Sequence, residues 1–391
     1  MIARSGAFTL TLLISVGCSP EPADSGPEEV FDSVPTLVLS SQPLFTVGTA
    51  DGSEDQQLYR VSGAYLREDG GIVIANSGTR AIRAYNESGN LSWSTGREGG
   101  GPGEFRGIRS ASRMRGDSTV VWDPPQRRLT YIGPGGNVGA VVQVESALTI
   151  PLSGDSVSAF PTAMNILTNG TAVAEPGFLT QVMSRGPDGI RRDTVPLFVF
   201  GRDGSLAASI GPIAGAETFV DAGSSMLMPF GHRLLIAAVG QQVFVGTGKG
   251  PIAVYDSDGV ITRSIDLQID PIPISDADFE AMKQRWLARM TPQSRESMAE
   301  TLADLPRMDH HPLYSRLAGG SDDRLWVQLY SQRSDSLQHW VALSGEGRVI
   351  TLLAVPTAYQ VLDIRQDRLA ILRRDELDTE QVAVFALQVG R

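Results

Sequence analysis

Gly70-Gly71-Ile72-Val73-Ile74-Ala75-Asn76-Ser77-Gly78-Thr79-Arg80-Ala81-Ile82-Arg83-Ala84-Tyr85 is the stretch whose reading decides the fold. A glycine turn opens a short apolar strand, a polar turn closes it, and a second strand leads to Tyr85. The same turn-then-strand start returns at Thr119, Thr171, Val243, Leu325 and Leu369. Strand-and-turn units recurring at intervals of this length mark a repeat architecture.

A second pattern follows in five of the six units, at Tyr85…Gly89-Asn90-Leu91, Ile132…Gly136-Asn137-Val138, Phe200…Gly204-Ser205-Leu206, Tyr255…Gly259-Val260-Ile261 and Leu343…Gly347-Arg348-Val349. Each glycine supplies the positive φ of a tight hairpin. In the sixth unit the chain stops at Gly390-Arg391, where that turn falls. Thr36-Leu37-Val38-Leu39 or Leu44-Phe45-Thr46-Val47 is the candidate for the missing last strand, a closure that leaves no long exposed edge. Units of about four strands in circular array predict an all-β, six-bladed β-propeller over residues 36–391. In unit one, Val61 to Arg67 reads as the inner strand and Leu91 to Thr95 as the outer. The inner strands of all units read around Tyr65, Ile108, Thr162, Met228, Tyr314 and Leu362, and are poor in ligand atoms.

The Gly70 to Tyr85 stretch, with Gly101-Pro102-Gly103-Glu104-Phe105, resembles the NHL-type repeat, and Lys249 to Asp256 carries a weaker echo. The whole chain resembles the bacterial six-bladed β-propeller lipoproteins. That resemblance implies a fold and leaves function open, because propellers host enzymes, receptors and scaffolds alike.

Arg4 and the apolar run from Ala7 to Val16 read as a signal peptide over residues 1–17, too short to span a membrane. Ser15-Val16-Gly17-Cys18 resembles a lipobox with Cys18 as the lipidated residue; Ser15 stands where Leu is usual, so ordinary cleavage near Cys18 is the alternative. Cys18 is the only cysteine, which rules out an intramolecular disulfide. Residues 18–35, rich in Pro, Glu, Asp and Ser, read as a disordered tether. The expected address is the bacterial envelope, on the outer membrane and facing the periplasm. Loss of the signal segment moves the net charge from −11 to −12, which argues against nucleic acid as a partner.

One segment breaks the β rhythm. Ser275-Asp276-Ala277-Asp278 reads as a capping box, Phe279, Met282, Trp286 and Met290 follow near helical spacing, and Pro292 suits the start of a second helix carrying Met298, Leu302 and Leu305. This predicts a helical hairpin at 274–306, inserted between blades four and five. The chain then continues through Arg307-Met308-Asp309-His310-His311-Pro312-Leu313-Tyr314-Ser315-Arg316. Because loops on a rigid scaffold concentrate function, the hairpin-bearing mouth of the channel is the expected binding face. Its candidate residues are Arg106, Arg109, Trp286, His310, His311, Tyr314 and Arg316. An amphipathic stripe also serves packing, and a surface arginine also serves solvation.

Catalytic signatures are sparse. Adjacent His310 and His311 invite a metal, yet neighbours in a strand point to opposite faces. The Gly96 to Phe105 run lacks the Lys-Ser/Thr of a phosphate loop and reads as a flexible crossover with Phe105 anchoring it. No Gly-x-Ser-x-Gly elbow occurs, and Asp322-Asp323 and Asp375-Glu376 fall in predicted turns. The expectation is a monomeric, non-catalytic module without cofactor or metal, binding an unknown protein or small molecule. The alternative is a metal-dependent hydrolase or lyase with its site in the channel.

Overall fold

The computed structural model describes residues 31, 33–144, 148–152, 155–176, 187–221, 224–331 and 336–390. Cys18, the apolar run before it and the tether up to residue 30 lie outside the described residues. Among the described residues the fold is all-β with two α-helices.

Unit one sets the pattern. Val61–Leu66, Ile72–Asn76, Ala81–Tyr85 and Leu91–Thr95 form one antiparallel ladder in chain order. The two middle strands are buried along their whole length and are apolar but for Asn76 and Arg83, whose guanidinium donates to the Glu54 and Gln57 carbonyls. The turn into the fourth strand is built by its own residues: Asn86 accepts hydrogen bonds from the backbone of Ser88 and Asn90, and Gly89 sits at φ +78°. Asp256 does the same for Asp258 and Val260 in unit four. The second strands predicted from sequence appear as Ile72–Asn76, Thr119–Asp123, Ala172–Pro176, Gln242–Gly246, Leu325–Leu329 and Arg368–Arg374.

The first strands of the units are Val61–Leu66, Ser110–Arg113, Pro161–Ile166, Leu235–Val239, Tyr314–Gly319 and Gln360–Ile364. Each lies against the next, and the last returns to the first. The cores sit between successive sheets. Between units one and two, Tyr65, Val73 and Ile82 meet Phe105, Ile108, Val121 and Ile132. Phe105 is fully buried, worth about 2–3 kcal/mol, and anchors the glycine-rich crossover as its sequence suggested. That crossover is stitched rather than flexible. Glu104 accepts the Gly101 N–H at 2.8 Å and pairs with Arg97, while Arg128 donates to the carbonyls of Gly100 and Gly101.

Both N-terminal candidates take part in closure. Phe45–Val47 pairs antiparallel with the last strand, Glu380–Val389, in the register Thr46 to Ala383. Thr36–Leu39 pairs antiparallel with the same strand and parallel with Val349–Pro356, joining the last two units into one nine-stranded sheet. Packing begins before these strands: Phe31 and Val34, inside the stretch read as tether, contact the core around Tyr314 and Leu352.

The helices are α1 (Asp276–Ala288) and α2 (Pro292–Ala303), lying in the chain between Ile261–Ile265 and Tyr314–Gly319. Ser275 Oγ accepts the Asp278 N–H while the Asp278 carboxylate accepts the Ser275 N–H, the reciprocal capping box that the sequence spells. Phe279, Met282, Leu302 and Leu305 bury themselves against Met228, Phe219 and Met226 of unit three's long hairpin. Met228 therefore belongs to the seat of the helices, and unit four's inner strand starts later, at Leu235.

Candidate functional site

The six first strands enclose a cavity of about 300 Å³ to which every one of them contributes, through residues such as Tyr65, Ser110, Asn165, Ala237, Arg316 and Asp363. Its lining passes the C-terminal ends of several strands, at Thr168, Gly240 and Ser321, and starts short of their N-terminal ends. Register shifts fall between Val61 and Gly63, Pro161 and Ala163, Tyr314 and Arg316, and Val361 and Asp363. Such bulges bend a strand and re-aim the side chains that follow. Arg316 and Asp363 each stand directly after one.

Arg316 donates from Nη1 to the Val361 carbonyl at 2.8 Å, and its guanidinium lies 5.5 Å from the ring centre of Trp340. It forms no ion pair among the described residues, and burial pulls its pKa below the ordinary arginine value. Asp363 is the opposite case. Its carboxylate accepts the Leu66 N–H at 2.7 Å, the Ser321 N–H at 3.2 Å, the Ile364 N–H at 2.9 Å and the Ser321 hydroxyl. Burial nevertheless outweighs these bonds and pushes Asp363 up to about 6. It ties the first strand of unit one to the turn after that of unit five.

Arg113 spans one end of the cavity. Its Nη2 donates to the Ser321 carbonyl at 2.6 Å and its Nη1 lies 3.1 Å from Glu68 and 3.6 Å from Asp117. The charge on Arg113 is thereby compensated. Other polar groups in the cavity are not: Ser110 Oγ is buried without a partner, and the Asn165 side chain makes no hydrogen bond among the described residues.

Of the binding candidates named from sequence, Arg316 alone lines this cavity. Arg106 and Arg109 are exposed at the entry to unit two's first strand; Arg109 partly offsets the upward push that burial gives the Glu175 carboxyl. Trp286 is half-buried in the helix seat. His310 is exposed and its backbone bridges Pro273, whereas His311 is 1 % exposed, so the neighbours diverge as strand geometry predicts. The His311 ring stacks on Tyr330 at 4.6 Å and meets Phe230 edge-on at 4.8 Å, with Nε2 3.3 Å from Asp278. Tyr314 is buried; its hydroxyl accepts the Thr247 N–H and donates to the Gly250 carbonyl, both at 3.1 Å, and burial pushes the phenol up. Among the described residues no three His, Cys, Asp or Glu side chains converge to hold a metal ion. Nor is any helix there long and apolar enough to cross a membrane.

Sequence reasoning missed Ser110, Asn165 and Asp363. The available signal was Ser110-Ala111-Ser112-Arg113, a strand of small and polar residues beside the apolar strand Thr119–Asp123 that pairs with it.

No protein-family model matches the chain, and no curated protein does. Solved structures do. A putative exported protein from Bacteroides fragilis is similar at 13 % identity and TM-score 0.49, over 91 % of this chain and 96 % of that one. A member of the DUF4221 family from Bacteroides vulgatus is similar at 10 % identity and TM-score 0.47, over 91 % and 99 %. Virginiamycin B lyase from Staphylococcus aureus is similar at 10 % identity and TM-score 0.39, over 90 % and 100 %.

Proposed function

We propose that the chain is a six-bladed β-propeller binding module, held at a bacterial envelope membrane through a lipid on Cys18, that takes a small polar ligand in its central cavity. The cyclic succession of first strands supports six blades, and the position of α1 and α2 in the chain supports an insertion between the fourth and fifth. The observation that carries the binding reading is the cavity itself: all six first strands line it, and among the described residues Arg316 and Asn165 present polar groups there that the protein leaves unsatisfied, beside the buried, unpartnered Ser110 hydroxyl. Buried polar groups are normally paired, and exceptions concentrate where a ligand completes them. This moves the proposed site away from the helix-bearing face.

The test is to extract the full chain from the membrane fraction of a bacterial host and submit it to elemental analysis. The expected result is recovery from membranes that is lost in Cys18→Ser, with no stoichiometric divalent ion. One ion per chain, removable by chelator with loss of stability, would replace this reading with that of a metal-dependent hydrolase or lyase.

A further inference from the structure

Resting on the cavity being the binding site, we infer that its ligand is a small organic monocarboxylate held by the Arg316 guanidinium. The arginines elsewhere in the fold show what a structural guanidinium looks like. Arg83 donates to the carbonyls of Glu54, Asp55 and Gln57. Arg128 donates to those of Gly100, Gly101 and Glu104. Arg316 has five N–H donors and, among the described residues, places one bond, to Val361.

Its other nitrogens are not sealed in the wall. The Nε atoms of Arg67, Arg80, Arg83 and Arg128 are buried without partners, but no nitrogen of Arg316 is. The free donors of Arg316 are therefore open to the cavity that the residue lines. The fully buried Trp340 ring lies 5.5 Å from the guanidinium carbon and, with the Val361 bond, holds the group in place. A planar fork, pre-oriented and lacking a carboxylate, matches a bidentate carboxylate ligand.

The remainder of the cavity argues for a single negative charge. Arg113 is already balanced by Glu68 and Asp117, so one uncompensated cation remains. Asp363 and Asp323 line the same space and disfavour a dianion such as a phosphate monoester. Asp363 itself does not compete for Arg316, since its oxygens are engaged by Leu66, Ser321 and Ile364. The part-buried Ile236 and Ala238 give the lining a small apolar portion, room for a short hydrocarbon body. Asn165, part-buried and lining the same space, offers an amide to the rest of the ligand. A volume of about 300 Å³ sits at the small end of ligand pockets and suits a molecule of this class.

The experiment is isothermal titration calorimetry of the detergent-solubilised full chain with propionate and benzoate, each against its neutral amide. The expected result is binding of the acids at least about tenfold tighter than the amides, and a loss of about tenfold to a hundredfold for the acids in Arg316→Gln, with the amides unchanged and Arg316→Lys intermediate. Acids and amides binding alike, or acids unaffected by Arg316→Gln, would overturn the carboxylate inference and leave the cavity reading standing. No heat from any probe would overturn both. Should Arg316→Gln fail to fold, the acid-to-amide ratio on the wild-type chain decides alone.

Discussion

His311 and Arg316 lie five residues apart, on either side of the point where the chain enters unit five, and their surroundings differ in kind. His311 is closed in by Phe230, Tyr330 and Asp278, two aromatic faces and one acceptor supplied by three separate elements. Arg316 has an aromatic backing and one carbonyl, then open space. The helix-bearing side of the molecule thus spends its conspicuous residues on holding α1 and α2 down. The ring interior, built from plain-looking strands, keeps donors in reserve. The two helices that break the β rhythm pack onto the sheet beneath them.

The largest effect that sharpens this contrast is on the helix seat. Leu302 is fully buried beneath α2, and Leu302→Ala is expected to cost about 2–5 kcal/mol in chemical denaturation while leaving ligand affinity in the cavity unchanged. A parallel loss of affinity at temperatures where the variant is folded would break the contrast.

A smaller effect is pH dependence of opposite sign in the two regions. Burial lowers the pKa of His311 and Asp278 restores part of it; Nδ1 has no partner among the described residues, so a second ring proton finds no acceptor there. The fold therefore favours the neutral ring, and stability falls as pH drops below the ordinary imidazole value of about 6.5. Asp363 runs the other way. Its pKa is raised to about 6, so its contribution is fully present below the unfolded value near 3.8 and is lost as pH rises through about 6. His311→Phe is expected to flatten the acid limb, and Asp363→Asn to remove the decline between about pH 4 and 6. Each slope is at most about 1.4 kcal/mol per pH unit, read from thermal or denaturant melts. Slopes of the same sign in the two variants would contradict these environments.

Much of the fold was legible because each unit carries its own instructions. Asn86 and Gly89 make their turn with atoms within five residues, and the two middle strands of the unit are buried on both faces, so local sequence and final structure agree. The capping box at Ser275 is equally local. The cavity was not legible for two reasons. Bulges ahead of Gly63, Ala163, Arg316 and Asp363 shift the two-residue alternation that would say which side chains face inward. The partners of Asp363, moreover, lie nearly 300 residues away at Leu66 and about 40 away at Ser321, a convergence created by ring closure. Arg316 drew notice as part of a charged entry segment, not as the residue that a bulge turns toward the centre.

The most direct test of the central claim, that function resides in the ring interior, is amide hydrogen exchange of the full chain with and without saturating benzoate. The expected result is slowed exchange confined to Ser110–Arg113, Pro161–Ile166 and Tyr314–Gly319, with α1 and α2 unchanged. Protection appearing in α1 and α2 while those three strands exchange as before would contradict it.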